Sequence, residues 1–124
     1  MNISIVDQSP VAVYEQIILQ ILTGLREKKL KPNTPLPTIR QLASDLDLTK
    51  ATVAKAYQIL ERSRIIATGG RRGTFIHEHA VENADKFLRE TVVNQTREFI
   101  ELQLKYGIEA NTLKTIFSTI IKEY

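Results

Sequence analysis

Within seven residues the chain sets out two hydroxyls, two ammonium groups and a methyl: Thr49, Lys50, Ala51, Thr52 and Lys55. Hydroxyls and methyls can meet the edges of bases, and lysines can neutralise phosphate. This is the chemistry of recognition rather than of bond-breaking. The chain has no cysteine, its two histidines stand together at His77 and His79, and no nucleophile, base and orienting group form a set. No enzyme activity, cofactor or metal is therefore expected.

The elements that must hold these residues can be read from apolar spacing. Residues 38–62, TIRQLASDLDLTKATVAKAYQILER, read as two helices joined by a tight turn. Thr38 and Gln41 stand at capping-box spacing, and Ile39, Leu42, Ala43 and Leu46 fall on one face of the first helix. Asp47 and Leu48 make the turn. Thr49 is placed to cap the second helix, whose core face is Val53, Ala56, Tyr57 and Leu60. The other face carries the five recognition residues near its N-terminus, the part of a helix-turn-helix that enters the major groove.

A short β-prone run follows at residues 65–68, then a basic turn, Gly69-Gly70-Arg71-Arg72-Gly73, then a second run at Thr74, Phe75 and Ile76. A hairpin with arginines at its tip, after two such helices, predicts a winged helix-turn-helix whose wing contacts phosphate or the minor groove.

With these motifs in place the chain resembles the GntR family of bacterial transcription regulators. The matching segments are PVAVYEQI (10–17), LPTIRQLA (36–43), TKATVAKAY (49–57) and RGTFI (72–76), in the family's order and close to its spacing. They span roughly residues 8–78. The resemblance implies that Arg40 binds phosphate, that Thr49, Lys50, Ala51, Thr52 and Lys55 occupy the recognition helix, and that Arg71, Arg72 and Gly73 complete the contact from the wing. Asn33 stands where the family usually has glycine after Pro32, and asparagine tolerates the same positive φ. The wing is looser than the usual one, and either arginine could be the one that reaches DNA.

Composition agrees. The net charge is +3, with 11 Lys/Arg against 7 Asp/Glu in residues 1–79 and 6 against 7 in residues 80–124, so only the head is basic. That sign suits a polyanion. No apolar run is long enough to span a membrane, the N-terminal residues lack the features of a signal peptide, and the lack of cysteine excludes a disulfide framework, so the expected location is cytoplasmic.

Ahead of the helix-turn-helix, Ile3, Ile5 and Val6 are β-prone, and residues 11–27 are expected to form a helix with Val13, Ile17, Ile18, Ile21, Leu22 and Leu25 on its apolar face. Tyr14 reads as a core or edge residue whose hydroxyl could also reach a phosphate. Pro32, Pro35 and Pro37 stiffen a structural connection in which Leu36 plugs the core. His77 and His79 would share one side of a strand end, a placement compatible with a metal, but two histidines are too few for a closed site and a solvated junction is expected.

Residues 80–106 contain neither proline nor glycine and predict one long helix, with Gly107 at its C-terminal cap. A last helix places Leu113, Ile116, Phe117, Ile120 and Ile121 on one apolar face. Two helices of this size bury too little surface to stand alone, and no disulfide or metal is available to help. The expected solution is a homodimer formed through Phe87, Leu88, Phe99, Leu102 and Tyr106 together with the five residues of the last helix.

The expected fold is thus mainly α with a small β-hairpin. Residues 1–79 make a winged helix-turn-helix DNA-binding domain and residues 80–124 a two-helix dimerisation tail. A tail this short cannot hold the effector-binding or aminotransferase-like domains of larger relatives, and the chain is similar to the short-tailed YtrA-type branch. That resemblance implies a compact dimeric repressor on a palindromic double-stranded DNA operator, often of its own operon and of transporter genes. A small-molecule effector could still bind in a dimer cleft. The alternative function is a protein interaction module that uses the winged helix only for assembly.

Overall fold

Thr38 opens its helix in the manner its spacing predicts. In a computed structural model covering all 124 residues, the Gln41 N–H donates to the Thr38 hydroxyl at 3.1 Å and the Thr38 N–H donates to Gln41 Oε1 at 3.0 Å. The elements in order are α1 (Val13–Arg26), α2 (Ile39–Leu46), α3 (Lys50–Arg62), β1 (Ile66–Thr68), a 3-10 turn (Gly70–Arg72), β2 (Thr74–Ile76), α4 (Ala80–Lys105) and α5 (Ala110–Ile121). The chain forms two compact units, Met1–Lys86 and Phe87–Tyr124.

In the first unit α3 packs against both α1 and α2, and β1 follows it onto the same core. Ile17, Ile21, Val53, Leu60, Ile65, Ile66 and Ile76 are almost wholly withdrawn from water. Each such side chain contributes roughly 1.5–3 kcal/mol of burial. Tyr57 is buried with them, and its hydroxyl donates to the Pro37 carbonyl at 2.7 Å. Leu36 fills the core from the proline-rich connection, as its sequence context suggests.

The first helix begins two residues later than its periodicity predicts. The Val11 N–H donates to the Ser9 hydroxyl at 3.1 Å, and Ala12 remains extended at φ −57°, ψ 148°. The β-prone segment before it forms no strand, for a side-chain reason. Gln16 Oε1 accepts from the Val6 N–H at 2.9 Å while Gln16 Nε2 donates to the Val6 and Val11 carbonyls. One turn on, Gln20 Oε1 accepts from the Ser4 N–H and Gln20 Nε2 donates to the Ser4 carbonyl. Gln16 is the one buried polar side chain, and these bonds satisfy it.

Four helices close with the same backbone device, in which a left-handed residue lets two N–H groups turn back onto the last carbonyls. After α4 the residue is Gly107, at φ 91°, with Ile108 N–H bonded to Gln103 O and Gly107 N–H to Leu104 O. After α1, α2 and α3 the same position holds Lys28, Asp47 and Arg64, at φ 63°, 54° and 56°. The turn of the helix-turn-helix is the second of these, with Leu48 N–H bonded to Ala43 O at 2.9 Å.

The hairpin pairs Ile66 with Ile76, Ala67 with Phe75 and Thr68 with Thr74 in antiparallel register. Residues 33–36 lie along the other edge of β2. The Asn33 N–H donates to Ile76 O, Ile76 N–H to Thr34 O and Leu36 N–H to Thr74 O, at 2.8–2.9 Å. Prolines at 35 and 37 are compatible with this because their missing donors face away from the ladder.

In the second unit Gly107 turns the chain from α4 into α5, and the Phe99 and Phe117 rings meet edge to face with centroids 5.9 Å apart. Leu113 is buried there, while most other large apolar side chains of the two helices stay exposed.

Candidate nucleic-acid interface

Thr49 sits at the N-cap of α3, where its hydroxyl accepts from the Thr52 N–H at 3.3 Å and lies 3.0 Å from the Thr52 hydroxyl. The cap therefore fixes both threonines before any ligand arrives. Each hydroxyl keeps further hydrogen-bonding capacity, since such an oxygen can donate once and accept twice. Lys50, Ala51 and Lys55 are exposed on the same half of the helix, and Thr52 is partly so. The helix start adds its own partial positive charge, which favours an anionic partner.

The lysines differ. Lys50 has no intramolecular partner, whereas Lys55 Nζ lies 4.1 Å from the centre of the Tyr14 ring on α1. Tyr14 is half-buried and stands at the edge of the core, and the neighbouring Glu15 carboxylate raises its phenol pKa, through a hydrogen bond first and through its charge second. The ring thus steadies a cation of the recognition helix. Sequence reading placed Tyr14 at an edge but had no signal for this pairing, because α1 and α3 meet only in the fold.

Arg40, the second residue of α2, is exposed, and its side chain makes no hydrogen bond, ion pair or ring contact within the chain. The wing arginines are not alike. Arg72 Nη2 donates to Asn33 Oδ1 at 3.0 Å, and its guanidinium carbon lies 3.7 Å from the centre of the Phe75 ring. Arg71 is exposed and has no partner. Gly73 takes φ 65°, ψ −138°, a region open essentially to glycine, and so lets the tip return into β2. Asn33 takes the positive φ that asparagine tolerates, at 69°. Its contact with Arg72 was not legible, since 39 residues separate the two.

His77 and His79 lie in the turn between β2 and α4. His77 Nδ1 accepts from the His79 N–H at 2.9 Å, and His79 Nδ1 is 3.3 Å from Glu82 Oε2. No group of three His, Asp or Glu side chains is placed to hold a metal ion.

Among the residues assigned to a dimer interface, Phe99, Leu102, Ile116, Phe117 and Ile120 are each 42–47% exposed, and Leu88 is 37% exposed. Tyr106 and Ile121 are more exposed still, Phe87 is half-buried, and Leu113 is covered within its own unit. No helix is long and apolar enough to cross a membrane.

Residues 13–76 match the family described as bacterial regulatory proteins, gntR family. The chain is 45% identical to the HTH-type transcriptional regulator Rv1152 of Mycobacterium tuberculosis over 64 residues, which are 52% of this chain and 53% of that protein. It is 38% identical to the HTH-type transcriptional repressor YtrA of Bacillus subtilis over 103 residues, 83% of this chain and 73% of that one. Among solved structures it is similar to YtrA from Sulfolobus acidocaldarius, a GntR-family transcription factor, at TM-score 0.58 and 26% identity, covering 98% of this chain and 97% of that one.

Proposed function

We propose, because the chain belongs to the GntR family of bacterial regulatory proteins and so is a DNA-binding transcriptional regulator, that it works as a repressor in which two copies occupy a palindromic operator. The observation that carries this reading is the N-terminal half of α3, exposed and pre-ordered by the Thr49 cap, with a wing in the same compact unit. Residues 1–79 bind DNA. Thr49, Ala51 and Thr52 face base edges, and Arg40, Lys50, Lys55 and the wing contact phosphate or the minor groove.

Residues 80–124 join two copies. Phe99, Leu102, Ile116, Phe117 and Ile120 offer a large apolar surface on two helices that share few buried side chains of their own, and such a surface is rarely left to water. A second copy covers it with matching chemistry and sets two recognition helices one helical turn, or a multiple of one, apart. Repression rather than activation is supported by the name of the Bacillus subtilis relative, which aligns with most of this chain. It works by occupying a promoter.

The test is selection of bound duplexes from a random pool near physiological salt, with stoichiometry measured on the winners. A palindrome bound by two chains is expected. Enrichment of a single half-site by one chain would overturn the two-chain operator. Salt-labile binding with no enriched sequence would favour an assembly module whose basic face attracts any polyanion.

A further inference from the structure

We propose that the two wing arginines have separate jobs: Arg72 is a positioning residue that straps the wing to the proline-rich connection through Asn33, and Arg71 is the wing side chain that meets DNA. The proposal deepens the DNA-binding reading and rests on it.

Arg72 is held at two points. Its Nη2 donates to Asn33 Oδ1, and its guanidinium lies over the Phe75 ring. Both points belong to one ladder. Asn33 is fixed by its N–H bond to Ile76 O, and Phe75 lies in β2 opposite both Ala67 and Pro35. The strap therefore ties the tip of the wing back to its rigid base.

The loop geometry decides where Arg71 goes. Gly70–Arg72 form a single 3-10 turn, with Arg72 N–H bonded to Gly69 O at 2.9 Å and Gly69 N–H to Gly73 O at 3.0 Å. Gly70 enters the turn at φ 47° and Gly73 leaves it at φ 65°, which places Arg71 midway along the tip between β1 and β2. With Arg72 directed onto Phe75 and Asn33, Arg71 is directed elsewhere, and it is exposed with no partner. A cation without an internal contact gives up nothing but water when it meets phosphate. In the strap one residue, Asn33, supplies both the positive φ of the connection and the acceptor for Arg72.

Full-length protein and single substitutions are titrated with a short mixed-sequence duplex between about 50 and 200 mM salt, where each phosphate contact contributes ~0.9 to the slope of log K against log salt. Arg71→Gln is expected to flatten the slope by ~0.9 per bound chain. Arg72→Gln is expected to weaken binding in parallel at every salt concentration. Arg72→Lys keeps the charge but loses the planar fork, so it should behave like Arg72→Gln. Asn33→Gly should resemble Arg72→Gln, and combining the two should add nothing further. The proposal is overturned if Arg72→Gln flattens the slope as much as Arg71→Gln, or if Arg72→Lys restores wild-type binding. An absence of salt-dependent binding by the wild type would overturn the DNA-binding reading and this proposal with it.

Discussion

Replacing Arg64 with glycine should stabilise the protein, although the change removes a long side chain from a helix end. Arg64 follows α3 at φ 56°, and its backbone closes the helix through Arg64 N–H to Glu61 O at 3.0 Å and Ile65 N–H to Leu60 O at 2.9 Å. Its carbonyl also accepts from Asn83 Nδ2 at 2.8 Å. None of the three uses the Arg64 side chain, so glycine keeps them. A side chain in the left-handed region costs roughly 1–2 kcal/mol, while glycine loses roughly 0.5–1 kcal/mol more conformational entropy on folding. The difference is a net gain of about 0.5–1 kcal/mol. Lys28→Gly should match it, because Lys28 occupies the same position after α1 at φ 63°. Asp47→Gly should gain less, since aspartate tolerates this conformation. Gly107→Ala runs the comparison in reverse, and a loss of about 0.5–1 kcal/mol is expected. Urea unfolding at one fixed chain concentration measures the series, the fixed concentration being needed because association would shift the midpoint. A lower midpoint for both Arg64→Gly and Lys28→Gly, with m unchanged, would refute the reasoning.

The remaining expectations concern base reading, the tail and pH. Thr52→Ala should relax base preference while Arg40→Ala weakens binding to every duplex. Equal losses on all sequences for Thr52→Ala would remove it from base readout. Phe117→Glu combined with Ile120→Glu should give a folded monomer in sedimentation, and a persisting dimer would place the interface elsewhere. Burial pushes the Tyr57 phenol up to about 12 from 10.0, so the neutral form is favoured in the folded state. The stability this contributes is fully present below pH 10 and is lost as pH rises towards 12. Tyr57→Phe should lose about 1 kcal/mol at neutral pH with the Pro37 bond. It should also show a shallower alkaline decline than wild type in thermal unfolding followed from pH 9 to 12, and parallel declines would contradict the assignment.

Local signals carried much of this protein into view. Thr38 with Gln41, Thr49, Asn33 and Gly107 each act within a few residues of themselves, and each does in the structure what its type and spacing imply. The apolar faces of α1 and α3 were legible for the same reason. Three things were not. Lys28 and Arg64 take the left-handed conformation after their helices without the glycine that usually marks it. The third edge beside β2 comes from a segment whose prolines argue against a strand. The N-terminal segment is β-prone by composition, yet glutamines of a helix take the place of a partner strand. Within the candidate site, the identity of the recognition helix was readable, but the difference between Arg71 and Arg72 was not. That difference depends on Asn33 and Phe75, one of them far away in sequence.

The glutamine pairing on α1 has a consequence for how the N-terminal arm can vary. Gln16 and Gln20 are four residues apart on a helix, a rise of roughly 6 Å, and Ser4 and Val6 are two apart in an extended chain, roughly 6.6 Å. The two spacings nearly coincide, so each carboxamide meets one residue's N–H and C=O at once. Because only main-chain atoms are gripped, the arm is held like an unprinted tape: its position is fixed and its lettering is ignored. Positions 4 and 6 should accept almost any side chain and refuse one residue, proline, which has no N–H to offer.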